Sequence, residues 1–407
     1  MSHLKPLSFV LLALIFGACS QVTMLEGDGN LNKENDKNKD RKEQSLSTGG
    51  GKTDKVIAQQ AVSSETNRNN QAPNKVDVRD EDSLEKVSDS DQVKAEKRSV
   101  KEKTLAQYCK KLQKNFTKYG WGKSSCENYP WKFVRTSVNG DPLLWRTFGR
   151  YSDQPEKTET TLIMCGVHGD EITPIKFCYD IIDYLEKVSR GEVKDNKGGE
   201  FVNLEGKYVI VAPLVNPDSY FKRKPTRTNA NGVDVNRNLP TKDFKKKALS
   251  MWKNYYGSDK RRYPGQKAMS EPETIFQVNL IYRYQPDKII SVHSPLTMLD
   301  YDGPASAHTG GMVGSRANQL LIKMSEEAKG YRIKNYPFFP GSLGNYAGNE
   351  RNIPTYTLEL PTSNPAKSST YWRLFKTSIH EAIMHEISGE GFVALDDEEL
   401  KELEATN

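Results

Sequence analysis

Where the aromatic residues stop sets the strongest constraint on what this chain can fold into. Between Gln21 and Lys103 there is none, and all five tryptophans lie further on. A polar, charged stretch with no aromatic side chain and few aliphatic ones cannot bury enough surface to offset the ordering of its backbone. The core therefore has to be built from later residues, which predicts one folded domain at 104–390. The stretch 19–103, crowded with Lys, Asp, Glu, Asn, Ser and Gln, reads as a disordered charged tether. A flexible chain of that length has a root-mean-square reach on the order of 50 Å.

The opening MSHLKPLSFVLLALIFGACS has a short basic start, an apolar run from Pro6 to Phe16 and small residues leading into a cysteine. That is the pattern of a secretory signal, too short to span a bilayer comfortably. Cys19 after Gly17 and Ala18 resembles the lipobox of bacterial lipoproteins. Residues 1–18 are then expected to be removed and Cys19 lipidated, giving a membrane partner through an N-terminal lipid anchor. Ser20 after the cysteine favours onward export, so the expected location is the cell envelope, on an outer membrane facing the periplasm. The acidic C-terminus, 391–407, reads as a tail with no assigned role.

A net charge of +6 is modest for 407 residues, and no nucleic-acid motif accompanies it, so no nucleic-acid partner is expected. Four cysteines remain beyond Cys19. Cys109 and Cys126 suit a local clasp, which an exported protein permits. Cys165, in an apolar strand, and Cys178, in a helix, are as consistent with buried thiols as with a bridge.

Within the domain, Leu105, Tyr108, Leu112 and Phe116 recur at helical spacing, and WKFVRTSVNGDPLLWRTFG reads as two strands about an Asn139–Gly140 turn. The apolar runs TTLIMCGV, KYVIVAPLV, DKIISV and TYTLEL then alternate with helical patterns at Pro174–Val188, Gly314–Lys329 and Ser369–Ile387. Strands buried on both faces with helices between them predict an α/β fold with a mixed, mostly parallel central sheet. In such sheets function gathers where strands end.

The first of those strands runs into HGDE, which sets His168 and Glu171 three residues apart just ahead of a helix. Imidazole plus carboxylate is a zinc-type pair. A third ligand is found in His293, at the end of DKIISV, and two His with one carboxylate leave an open position for water. The other histidines do not compete. His380 and His385, in HEAIMHE, are five apart and face different ways on a helix. His308 has no carboxylate at ligand spacing, and His3 goes with the signal.

With HGDE, SVHSP, NPDSYFKRKPTRTNANGVDVNRNLP and YTLELP in this order, the stretch from Trp131 to Ile387 resembles the zinc metallocarboxypeptidase family, of carboxypeptidase A-like fold. The resemblance implies one zinc ion held by His168, Glu171 and His293. It implies Glu359 as the base that takes a proton from water and passes it to the leaving nitrogen, and Arg227 as the group that stabilises the oxyanion. Asn236 and Arg237 would bind a substrate carboxylate. Tyr336 is the nearest match to the tyrosine that closes over substrate, with Tyr346 as second choice.

Pro295 after HS departs from the digestive members of the family. HSPLTMLDYDGPA and PGSLGNYAGNERNIPTYTLELP look more similar to murein peptide amidases and related peptidoglycan-trimming carboxypeptidases. The substrates this implies are peptidoglycan stem peptides, cut for example between γ-D-glutamate and meso-diaminopimelate, with Asp300 and Asp302 as candidates for the distant ammonium. The alternatives are an envelope carboxypeptidase for ordinary peptides or proteins and a non-catalytic peptidoglycan-binding lipoprotein.

Overall fold

The computed structural model describes residues 91–150, 158–194, 199–304 and 312–387. The signal peptide with Cys19, residues 19–90 of the expected tether, His308 and the 391–407 tail lie outside the described residues. Among the described residues no helix is long and apolar enough to cross a membrane.

Seven strands form one mixed sheet: β1 (Arg146–Gly149), β2 (Glu159–Cys165), β3 (Lys207–Ala212), β4 (Lys288–His293), β5 (Met298–Tyr301), β6 (Ile333–Lys334) and β7 (Thr355–Glu359). Their spatial order is β1-β3-β2-β4-β7-β5-β6. The central four, β3, β2, β4 and β7, are parallel, while β1 and β5 join them antiparallel. Every residue of β2 and of β4 is buried, which is why these strands read as unbroken apolar runs and not as alternating ones.

Successive side chains still point to opposite faces. Ile163 and Cys165 pack with the helices α2 (Ile172–Ser189), α6 (Met312–Glu327) and α7 (Ser368–Met384). Leu162 and Met164 pack on the other face with α5 (Pro272–Tyr284). Two short or peripheral helices complete the set, α3 (Pro217–Tyr220) and α4 (Phe244–Asn254).

The N-terminal helix α1 spans Asp91–Lys118. The expected spacing holds where it packs, since Tyr108, Leu112 and Phe116 lie in one cluster with Ile175, Tyr179 and Tyr220. Residues 91–103, assigned to the tether from the sequence, are helical. That segment, DQVKAEKRSVKEK, has only Val93 and Val100 as larger apolar residues but is made largely of good helix formers. Propagation from an anchored turn costs far less than nucleation, so the helix runs back beyond its apolar half. The expected hairpin is reduced to isolated bridges, Lys132 to Trp145 and Thr136 to Pro142, before β1 joins β3.

Both cysteine pairs are disulfides, Cys109–Cys126 and Cys165–Cys178. The second settles what the sequence left open. It ties the last residue of β2 to α2. At the opposite end of the strands, Lys288 opens β4 and is fully buried. It donates to Glu159 Oε1 at 2.7 Å and to the His385 carbonyl at 2.7 Å. The same carboxylate oxygen accepts from the Ile387 N–H at 2.9 Å.

Candidate metal centre and active site

The residues predicted to carry chemistry converge at the C-terminal ends of β2, β4 and β7. β2 stops at Cys165 and the HGDE turn follows. Gly169 in that turn lies so close to α3 that an added Cβ would fall 2.5 Å from Ser219 Oγ and from the Tyr220 nitrogen. Only glycine permits that approach, and it fixes the turn between His168 and Glu171. Glu171 stands at the N-terminus of α2 but makes no side-chain cap there. Its carboxylate turns to the two histidines instead.

His168 Nδ1 lies 2.8 Å from Glu171 Oε1, and His293 Nδ1 lies 2.9 Å from Glu171 Oε2. Ligand atoms from the three residues all fall within 4.8 Å of one another, and all three residues are buried. Each imidazole uses its second nitrogen outward. His168 Nε2 is 3.0 Å from Asp234 Oδ1, and His293 Nε2 is 2.9 Å from Ser291 Oγ. Two ring nitrogens and a carboxylate facing one point, each ring fixed by an outer partner, is what a zinc site with an open position requires. The donor set fits that ion.

The electrostatics agree. Burial alone would raise the Glu171 carboxyl, yet the histidines against it hold it well below the usual carboxylate range. Asp234 is likewise raised by burial and pulled far down by Arg227 and His168. Arg227 donates from Nε to Asp234 Oδ2 at 2.9 Å and lies 3.4 Å from Glu171 Oε1 through Nη1. The guanidinium thus borders the metal-ligand group, held by the same carboxylate that holds His168.

Glu359 ends β7, in direct register with His293 on β4. Residues in register on neighbouring parallel strands project to the same face, so ligand and carboxylate stand side by side. Burial, and then the negative charge of Glu171, push the Glu359 carboxyl up to about 7. Its Oε2 accepts from the Leu296 N–H at 3.3 Å. A carboxyl of this kind suits reversible proton transfer near neutrality.

The substrate-side candidates are also brought to this end. Asn236 Oδ1 accepts from the Leu343 N–H at 2.8 Å, and the Arg237 guanidinium lies over the Phe339 ring, 4.7 Å from its centroid. Tyr336 is half-buried, and its N–H donates to Asp300 Oδ1 at 2.8 Å. Tyr346 is excluded as the closing residue. It is fully buried in the core beneath the Arg351 guanidinium.

Asp300 and Asp302 form a close acidic pair. Burial and then the neighbouring Asp302 charge push Asp300 up to about 8. Burial also raises Asp302, against a 2.5 Å hydrogen bond from Thr357 Oγ1 and the pull of His293 and Arg237. Space for Asp302 comes from Gly344, where a Cβ would sit 2.5 Å from its Oδ1.

Two residues of the site escaped the sequence analysis, Asp234 and Ser291. Ser291 carried a signal, since two residues before His293 on a strand is the same face. Asp234, in VDVNRN, carried none that its own neighbourhood reveals.

The profile of the zinc carboxypeptidase family matches residues 102–380. This chain belongs to that family. It is a zinc metallopeptidase, and His168, Glu171 and His293 form a group able to hold a metal ion. Among curated proteins it is 29% identical to murein peptide amidase A of Vibrio campbellii, over 55% of this chain and 77% of that one. It is 27% identical to murein peptide amidase A of Escherichia coli K12, over 57% and 82%. Among solved structures it is similar to a murein-tripeptide amidase of Escherichia coli O157. That match has 24% identity and a TM-score of 0.41, and covers 62% of this chain and 92% of that one.

Proposed function

We propose that this zinc peptidase hydrolyses peptide bonds in peptidoglycan stem peptides, either as a γ-D-glutamyl–meso-diaminopimelate amidase or as a murein carboxypeptidase. We propose further that it does so at the cell envelope, lipid-anchored through Cys19. The observation that carries the substrate reading is the acidic pair of buried Asp300 and half-buried Asp302 beside Arg237, on a metallopeptidase frame whose curated relatives are murein peptide amidases. Two carboxyls held close together and partly out of water lose that mutual repulsion when a cation enters. Diaminopimelate brings an ammonium together with a carboxylate at the far end of its side chain. Asp302 answers the first and Arg237 the second.

Zinc, when bound, supplies a Lewis acid that polarises a carbonyl and acidifies water. The chain's own residues do the rest. Glu359, ionised at the start, accepts a proton from the attacking water and returns it to the leaving nitrogen. Arg227, fixed by Asp234, donates to the oxygen that gains charge as the carbonyl becomes tetrahedral. Asn236 and Arg237 orient the substrate carboxylate, and Tyr336 closes over the bound peptide.

The test is a parallel digestion of purified sacculi and plain peptides, with and without a chelator, read by mass spectrometry. Release of diaminopimelate-containing fragments from wall material is expected, and chelator should stop it. Cleavage confined to plain peptides would overturn the substrate reading in favour of a general carboxypeptidase. Within the same assay, Asp300→Asn with Asp302→Asn should lower the preference for diaminopimelate peptides over analogues lacking the distant ammonium. An unchanged preference removes the pair from specificity.

A further inference from the structure

The charge of this chain is unevenly placed. Between residues 217 and 270 there are fourteen Lys and Arg against four Asp, so this stretch alone carries more positive charge than the whole chain's +6. The four acids offset it only in part. Asp218 and Asp234 are buried. Asp243 accepts from Asn345 and Thr241, and Asp259 accepts from the Arg261 N–H. The bases, by contrast, stand out into water. Lys222, Arg223 and Lys224 are exposed, as are Lys245, Lys246 and Lys247 on α4. Among the described residues, only Lys247 of these six has a carboxylate in ion-pair range, and that contact is 3.5 Å.

Charge runs of this kind are usually just solvated. Here the separate runs sit on segments that are tied to the loops of the metal centre. The Lys222–Lys224 run leads into Thr226, whose carbonyl accepts from the Asp170 N–H inside the HGDE turn at 3.1 Å, and then into Arg227. Arg261, in a third run, pairs with Asp170 at 2.8 Å, while the Tyr263 carbonyl accepts from the Asp234 N–H. α4 is seated by Phe244 against Gly341, where a Cβ would meet the Phe244 ring at 3.1 Å, on the loop that leads from Tyr336 to Leu343.

We propose that this basic rim is a docking surface for the carboxylate-rich stem peptides surrounding the scissile one, so that the enzyme is held on a polyanionic mesh while one stem enters the site. The proposal rests on the murein reading above. A planar anionic membrane is a poorer occupant, because the segments that carry these bases are tied to the loops that the substrate must reach. Like-signed charge around a cleft raises local ligand concentration and association rate by factors of about 10 to 10³, and does so less as salt rises.

The experiment is co-sedimentation with purified sacculi over a series of NaCl concentrations. It uses the full chain made inactive by Glu359→Gln, with and without Lys245→Gln, Lys246→Gln and Lys247→Gln. The triple substitution should weaken binding about tenfold at low salt and flatten its salt dependence. In the active background it should leave kcat on a soluble stem tripeptide unchanged. A second variant, Lys222→Gln with Lys224→Gln, should act in the same direction, and matched thermal melts check that both fold. Binding equal to the parent at low salt overturns the proposal. Pelleting with anionic vesicles but not with sacculi overturns it too, in favour of a lipid surface. If the active enzyme fails to cut any stem peptide, the murein reading fails on hydrolysis, while the sedimentation series still decides the surface.

Discussion

Replacing Asp234 by asparagine should separate zinc affinity from folding, and the structure says why the effect is large for an isosteric change. Asp234 is fully buried and serves three donors, accepting from the Asn236 N–H at 3.0 Å as well as from two side chains. Its Oδ1 faces His168 Nε2 at 3.0 Å and its Oδ2 faces Arg227 Nε at 2.9 Å. With His168 turning Nδ1 to the metal, Nε2 carries the proton and must donate. An asparagine has one acceptor and one NH2 group, so whichever way the amide turns, its NH2 confronts either the His168 N–H or the Arg227 N–H. Loss of an outer partner of a metal ligand typically costs 10- to 100-fold in affinity. A donor facing a donor in a dry site puts this change at the upper end, about 100-fold, or roughly 2.8 kcal/mol at 1.4 kcal/mol per tenfold. Ser291→Ala, which removes a neutral partner of His293, should fall near the lower end, about tenfold. The assay is zinc competition against a chromophoric chelator, with denaturation of the zinc-free proteins as the control on folding. Wild-type affinity in Asp234→Asn with an intact fold would falsify the role given to Asp234.

Three further outcomes follow from other parts of the structure. Glu359→Gln should lower kcat by about 10²- to 10⁴-fold with zinc still bound by competition titration, and turnover near the parent's removes Glu359 as the base. Because that base works ionised and its carboxyl is raised, kcat/KM should rise with pH along an acid limb above the ordinary value of 4.5 and extending toward about 7. A profile flat through that window counts against the assignment. Lys288→Ala leaves the buried Glu159 carboxylate without its cation, so urea unfolding should show a loss of about 3–5 kcal/mol, while the distant metal site keeps its zinc affinity. A loss under about 1 kcal/mol would mean that the pair is replaceable by water or by relaxation.

What could be read from the sequence followed from where each residue's partners lie. His168 and Glu171 declared themselves because three residues and a strand end put them together locally. His293 and Glu359 were legible as the ends of two apolar strands, and the sheet then set them in register. Asp234 was not legible. Its role depends on His168, 66 residues away, and nothing in VDVNRN distinguishes an outer-shell carboxylate from a solvated one. The Cys165–Cys178 bridge stayed open for the same reason, since a strand and a helix show no distance until they are packed. Residues 91–103 read as tether because they offer too little apolar surface for a core, whereas helix propensity does not depend on that surface. Tyr336 and Tyr346 were separable only by burial, which reflects the whole fold.

The His293–Glu359 register has a consequence for how this enzyme fails. Both side chains hang from the central strands, the elements that open only when the whole domain opens. A slip of one residue between β4 and β7 would turn the base to the opposite face, so there is no partly active intermediate alignment. The substrate-side groups, Asn236, Arg237 and Tyr336, hang from loops that open more readily. On heating, KM should therefore drift before kcat falls, and the loss of kcat should coincide with the unfolding transition itself.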